Sequence, residues 1–331
     1  MNHVRWGIIG CGNVTEVKSG PGFQNADGSS LVAVMRRDRA LAEDYARRHG
    51  VPRVHDEAAG LVADPEVDAV YVATPPSSHC ELALLAAAAR KPCLVEKPMA
   101  MDHAECVRMN EAFQAAGVPL FVAYYRRALP RFLEVRRLLD TGTIGRVTDV
   151  HVRVCEPLAT GDAARGWRFD PSIAGAGLFF DLASHCVDLL DFLLGPIADA
   201  TGHSANTGGA YEADDLTIGA FWWNGGTAGT GTWNFNADRS VDTITFTGPL
   251  GELTTPVFTD GDIRVTRGGA TQVIHARNPA HVHQPLIQTI VDHLRGRGRC
   301  DSTGSSGARA SWVMDRMLGR LPGQTPHARL A

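Results

Sequence analysis

The sequence predicts two domains of different class. The first is an α/β domain with a parallel sheet, over residues 1–123; the second is an α+β domain with a large, open, mostly antiparallel sheet, over residues 124–331. Three observations lead there. Short apolar runs alternate with helical patterns through the first third, as in a parallel sheet covered on both faces. Beyond residue 126 the chain turns strand-rich, and successive strand pairs meet at glycine-containing turns. The 331 residues also match the length of about two domains.

Residues 4–10 read as a buried strand and 31–37 as a second, with a helix over 40–49 stopped by Gly50. A third strand over 69–75 leads into an Ala/Leu-rich helix around 81–90. Residues 93–98 form another strand, 103–116 a helix, and 120–125 the last strand of this run. The pattern changes at 124–126. A helix over 132–139 ends near Gly142, and 147–154 alternates as a strand should. Strands over 216–223 and 227–235 flank Asn224-Gly225-Gly226. Those over 242–247 and 252–257 flank 248–251, and those over 263–267 and 271–276 flank Gly268-Gly269. Helices return at 285–294 and 308–318 and can pack back on the first domain. The tail after Pro322 is expected to be loosely held.

A formal net charge of -4 supplies no field for a polyanion, so nucleic acid is not an expected partner. None of the seven cysteines forms a Cys-x-x-Cys pair, which suits reduced thiols and a cytoplasmic location. Met1-Asn2-His3-Val4-Arg5 runs straight into a strand pattern, so no signal peptide is expected. No apolar run approaches the roughly 18 residues of a membrane span, and no membrane association is expected.

The first strand ends in Gly10-Cys11-Gly12-Asn13-Val14-Thr15. The first glycine permits a tight turn, and the second lets the backbone approach a pyrophosphate at the start of the next helix. Thr15 stands where the fingerprint has a third glycine. The second strand ends Met35-Arg36-Arg37-Asp38. Two guanidiniums suit a 2′-phosphate, which favours NADP(H); Asp38 could still reach a ribose, which keeps NAD(H) possible. Glu96-Lys97-Pro98 lies at the C-terminal end of a parallel strand, the edge where such sheets bind ligands. A lysine there can polarise a substrate oxygen, and a cis Lys97–Pro98 bond would aim it inward.

Gly175-Ala176-Gly177 opens a buried helix in which Asp181 and His185 are one turn apart and share a face. A carboxylate one turn from an imidazole can orient it for acid/base work. An isolated Asp-x-x-x-His is more often an ordinary polar pair in a core. Tyr125, Arg126 and Arg127 lie where the domains cross. His281 and His283 have no carboxylate or cysteine near in sequence, so helix entry or substrate contact is expected and no metal site. Lys18 can reach a phosphate or simply be solvated. Trp222, Trp223 and Trp233 sit on the hairpins as sheet packing or a subunit interface.

Together these residues resemble the Gfo/Idh/MocA family, named for glucose–fructose oxidoreductase, inositol dehydrogenase and a rhizopine-catabolism protein. The matching pieces are Gly10-x-Gly12, Ala73-Thr74-Pro75 with His79, Glu96-Lys97-Pro98, and the glycine run with Asp181 and His185. The resemblance spans the chain and implies a Rossmann cofactor domain. It implies that Lys97 contacts substrate and nicotinamide, that His185 is the acid/base, and that Asp181 accompanies it. Thr74, Pro75 and His79 would form the loop beneath the cofactor, with Gly10, Gly12, Asn13, Val14, Arg36, Arg37 and Glu96 completing that site. Trp167 and Arg168, before the glycine run, join Tyr125 and Arg126 as substrate candidates. The implied activity is hydride transfer between nicotinamide and a sugar, polyol, cyclitol or related hydroxy/keto compound. The family also contains NAD-dependent glycoside hydrolases, and a non-catalytic dinucleotide sensor is a further alternative. A homodimer or homotetramer built through the C-terminal sheet is expected.

Overall fold

The computed structural model describes residues 2–321; the tail from Pro322 lies outside the described residues. The chain divides into two compact units. One runs to Leu129 and adds Pro279–Ala308; the other comprises Pro130–Asn278 and the chain from Arg309.

The first unit is built on six parallel strands: β1 Val4–Ile9, β2 Ser29–Met35, β3 Arg53–His55, β4 Ala69–Val72, β5 Cys93–Val95 and β6 Leu120–Val122. Their order is β3-β2-β1-β4-β5-β6, so strand order reverses between β1 and β4. This is the doubly wound arrangement whose ligands lie outside the carboxyl ends of the strands, at that reversal. β4, β5 and β6 are buried throughout, which is why they carry no polar alternation. The His103–Ala116 helix has the bounds the sequence predicts. Asp102 caps its first turn by accepting from the Glu105 N–H, and Gly117 ends it in the left-handed region.

Several elements differ from expectation. The first crossover helix is broken into Asn13–Val17 and Gly20–Asn25. The buried Thr15 hydroxyl bonds back to the Gly12 carbonyl, and the Tyr45 hydroxyl donates to the Thr15 carbonyl. The third-glycine position thus becomes a polar knot rather than a close helix–strand contact. The strands over 69–75 and 93–98 also stop earlier than read, at Val72 and Val95. The remaining residues leave the sheet as edge turns.

The second unit holds eight strands: β7 Asp149–Pro157, β8 Asp199–Ala205, β9 Leu216–Trp222, β10 Ala228–Ala237, β11 Val241–Gly248, β12 Gly251–Thr255, β13 Ile263–Arg267 and β14 Ala270–Ile274. The order is β14-β13-β12-β11-β7-β10-β9-β8, antiparallel except for β7 with β10. On the inner face Val150, Val152, Val154, Phe221, Trp233 and Phe246 are buried. Full burial of such side chains contributes about 1.5–3 kcal/mol each. The Gly177–Leu194 helix belongs to this core, with Phe179 edge-on to Trp233 at 5.3 Å.

That helix corrects one expectation. The segment Pro171–Leu194 is long and apolar enough to cross a membrane by length and composition, yet it is mostly buried inside the protein. It is a core helix, and Asp188 and Asp191 are buried along with its apolar residues. The tryptophans divide. Trp233 is buried, Trp223 is buried with its indole N–H on the Gly195 carbonyl, and Trp222 is 42% exposed.

Candidate active site

The cofactor candidates lie along the carboxyl edge of the parallel sheet. Gly10 follows β1 at φ 92° and donates its N–H to the Met35 carbonyl. A Cβ there would sit 2.7 Å from Thr74 Cγ2 and 3.1 Å from the Ala73 backbone, so a glycine is needed. Gly12 is extended, and the space where its Cβ would point is open, the nearest atom being the Gly10 carbonyl oxygen at 3.9 Å. A pyrophosphate can therefore approach the backbone at Gly12. Asn13 and Val14 open a helix of only five residues, whose dipole contributes little; close approach at Gly12 is the main device.

Arg36, half-buried at the end of β2, donates from Nη1 to the Cys11 carbonyl at 3.2 Å, which holds its guanidinium against the glycine turn. Asp38 is otherwise engaged. Its carboxylate caps the Arg39–His49 helix by accepting from the Leu41 N–H at 3.1 Å. Arg37 is exposed. These residues fit a dinucleotide, and a cation rather than a carboxylate faces the glycine turn.

The Lys97 turn is fixed from two sides. The Lys97–Pro98 bond is cis. The Lys97 N–H donates to Glu96 Oε2 at 3.2 Å, and the Tyr71 hydroxyl donates to the other Glu96 oxygen. Burial pushes the Glu96 carboxyl above its ordinary range; the Tyr71 bond and the Lys97 and Lys18 charges act against that rise. The imidazole of buried His79 spans two loops, with Nδ1 2.9 Å from the Pro98 carbonyl and Nε2 2.7 Å from the Thr74 carbonyl. Burial lowers its pKa, and the neutral ring, with one N–H, can donate to only one of these two carbonyls. The Ser78 hydroxyl donates to Thr74 Oγ1 at 2.8 Å and to the Pro75 carbonyl at 3.0 Å.

The sequence places His283 at a helix entry, and it does precede the Gln284–Leu294 helix; its contact with this turn is not legible there. His283 is buried, with Nδ1 3.8 Å from Glu96 Oε1 and its ring stacked on Tyr125 at 4.4 Å. Burial first, then the Lys18, Lys97 and Arg126 charges, push His283 down to about 3. Arg126 lies over the other partner of that stack, 4.8 Å from the Tyr125 ring centre. His281 points elsewhere, its Nδ1 3.0 Å from the Val17 carbonyl. Tyr125 and Arg126, in a 3-10 turn after β6, therefore belong to the polar cluster behind Lys97.

In the second unit, Asp170 caps the short Pro171–Ala174 helix, and Gly175-Ala176-Gly177 turns the chain into the long helix. His185 sits there only 4% exposed. Asp181 Oδ2 accepts from Arg168 Nε at 3.1 Å, and Arg168 lies 4.4 Å from the ring centre of Trp167. The carboxylate one turn before His185 thus ties the Trp167–Phe169 turn to the helix. The imidazole of His185 meets the ring of Phe258 edge-on at 6.1 Å, a neighbour that sequence reasoning did not find.

The strand order, the glycine turn and the lysine turn on the same sheet edge define a dinucleotide-binding α/β protein. Comparison with known proteins narrows the class. The profile of an oxidoreductase family with an NAD-binding Rossmann fold matches residues 4–124, and that of the GFO/IDH/MocA C-terminal domain matches residues 132–254. The chain is an oxidoreductase of the Gfo/Idh/MocA family. It is 36% identical over 321 residues to Oxidoreductase P35 of Formosa agariphila, covering 96% of this chain and 99% of that one. It is 27% identical over 328 residues to 1,5-anhydro-D-fructose reductase of Ensifer adhaerens, covering 92% of each. A solved levoglucosan dehydrogenase in complex with NADH and levoglucosan shares the fold, with TM-score 0.85, 21% identity, and coverage of 95% of this chain and 96% of that one.

Proposed function

We propose that this enzyme moves a hydride between NADP(H) and a carbon–oxygen centre of a sugar, polyol, cyclitol or related hydroxy/keto compound. One observation carries the reading: the lysine turn, fixed by Glu96 and by the His79 bridge, stands on the same sheet edge as the Gly10–Gly12 turn. Relatives named as a 1,5-anhydro-D-fructose reductase, an inositol 2-dehydrogenase and a levoglucosan dehydrogenase support the substrate class.

When bound, the nicotinamide supplies the hydride chemistry. The chain's own residues do the rest. Gly10 and Gly12 bring backbone to the pyrophosphate, and Arg36 pairs with the 2′-phosphate through charge-assisted bonds. Lys97 holds a positive charge at the substrate oxygen, where negative charge develops during oxidation. His185 takes the hydroxyl proton in oxidation and returns it in reduction. Asp181 and Arg168 hold the Trp167 turn beside the helix that carries His185.

Two further parts of the proposal concern assembly and location. The outer face of the second sheet carries Trp222 and Ile218, both exposed, among threonines such as Thr230. It is the surface through which a homodimer or homotetramer forms, and light scattering that reports a monomer would remove this part. All seven cysteines are free and buried, which suits the reducing cytoplasm.

The test of mechanism is His185→Ala against a sugar and cyclitol panel read at the nicotinamide absorbance. Loss of an acid/base group lowers kcat by about 100- to 10,000-fold, while NADPH affinity stays near the parent's. Parental turnover in that variant would reduce Asp181 and His185 to core polar residues.

A further inference from the structure

The connection between β12 and β13 is longer than it needs to be. Two antiparallel neighbours can be joined by a two-residue turn, as β13 and β14 are at Gly268-Gly269. Here residues 256–262 intervene, and their backbone is held from both sides. The carboxylate of Asp242 accepts four hydrogen bonds: from the Val257 N–H at 2.8 Å, the Phe258 N–H at 2.8 Å, the Thr259 N–H at 2.7 Å and the Thr259 hydroxyl at 2.9 Å. The guanidinium of Arg131, only 1% exposed, donates to the Thr259 and Gly261 carbonyls, each at 3.0 Å. An anion thus collects the loop's donors and a buried cation its acceptors. Burying an arginine is costly unless its hydrogen bonds are made, so this is an expensive way to hold a plain connection.

The held loop carries one aromatic side chain. Val257 is buried in the core, while the Phe258 ring is half-exposed and stands edge-on to the His185 imidazole at 6.1 Å. We propose that Phe258 is the selectivity wall of the substrate site, kept in place by Asp242 and Arg131, and that it selects a ring-shaped polyol over an open-chain one. This rests on the reading of His185 as the group that handles the substrate proton. A six-membered sugar or cyclitol offers a continuous face of C–H groups to an aromatic ring. A linear polyol exposes its hydroxyls on all sides as it rotates, so the same ring gains it little. Phe258 touches substrate; Asp242 and Arg131 act through it as positioning residues.

The probes are levoglucosan and myo-inositol as rings, with glycerol and sorbitol as open chains. Each is followed by nicotinamide absorbance for kcat and KM and by saturation-transfer NMR for binding. Phe258→Leu is expected to raise KM and Kd for the rings by about 10-fold, and to raise those of the open chains by clearly less. Phe258→Tyr restores ring binding, and Asp242→Asn shifts ring KM in the same direction as Phe258→Leu. Unchanged ring constants in Phe258→Leu, equal losses for rings and chains, a fall in kcat alone, or a parent that binds no ring would each overturn the proposal. Ring binding that depends on Phe258 without any absorbance change would uphold it, while sinking hydride transfer as the activity.

Discussion

Gly12→Ala separates binding from folding more cleanly than any other change in the glycine turn. Gly12 is extended, at φ -127°, so alanine meets no backbone barrier, and its Cβ would point into open space with only the Gly10 carbonyl oxygen at 3.9 Å. Replacing a glycine at a compatible conformation stabilises a protein by about 0.4–1 kcal/mol, because the unfolded chain has fewer states to lose. The same methyl stands where the proposed function puts the pyrophosphate. Losing one charge-assisted hydrogen bond costs about 1.5–3 kcal/mol, or about 10- to 150-fold in Kd. Gly12→Ala should therefore match or exceed the parent in urea denaturation and bind NADPH at least about 10-fold more weakly by fluorescence titration. Gly10→Ala is the contrasting control. Its φ of 92° and the 2.7 Å approach to Thr74 Cγ2 should cost about 1–3 kcal/mol of stability as well. A parental Kd in Gly12→Ala, or a loss of stability like that of Gly10→Ala, would refute the placement of the pyrophosphate.

Other expectations follow from the same geometry. NADPH should bind more tightly than NADH, and Arg36→Asp should shift preference toward NADH; equal parental affinities in titration would refute the role of Arg36. His283 should make the protein less stable in acid. Its folded pKa of about 3 lies below the ordinary 6.5, so the unfolded chain binds the extra proton between those values. Its share of stability is therefore complete above about pH 6.5 and is lost as pH falls toward 3. His283→Gln should flatten the stability profile between about pH 5 and 6.5, and an unaltered slope in denaturant melts would contradict this.

Much of the first unit is legible because its signals are local. Asp102 and Gly117 bracket their helix, and a glycine turn after an apolar run announces β1. Strand ends at the sheet edge read as too long, since Thr74-Pro75 and Glu96-Lys97-Pro98 leave the sheet there as turns. β3 escapes notice because it is a three-residue edge, and β8 because Asp199–Ala205 has no apolar alternation. Lys97 and His185 stand in recognisable motifs. Phe258 and Asp242 do not: they meet only through a loop, and no spacing rule joins positions 242 and 258. Arg131 did leave a trace, since a charged residue at helical spacing from Val135 and Leu138 interrupts an apolar stripe. Asp38 has a role that its place after β2 does not announce: Oδ1 caps the next helix.

The single parallel pair in the second sheet also bears on how that sheet is assembled. On one side of β7, β11 to β14 form a meander; on the other, β8 to β10 form a second. Each meander closes through neighbours in sequence and needs only short loops. β7 precedes both in the chain and lies between them, joining partners as remote as His151 and Thr230, 79 positions apart. Such closures carry the largest entropic cost and are the slowest to form. Translation delivers β7 first, yet both its backbone edges stay unpaired until its neighbours β10 and β11 have been made.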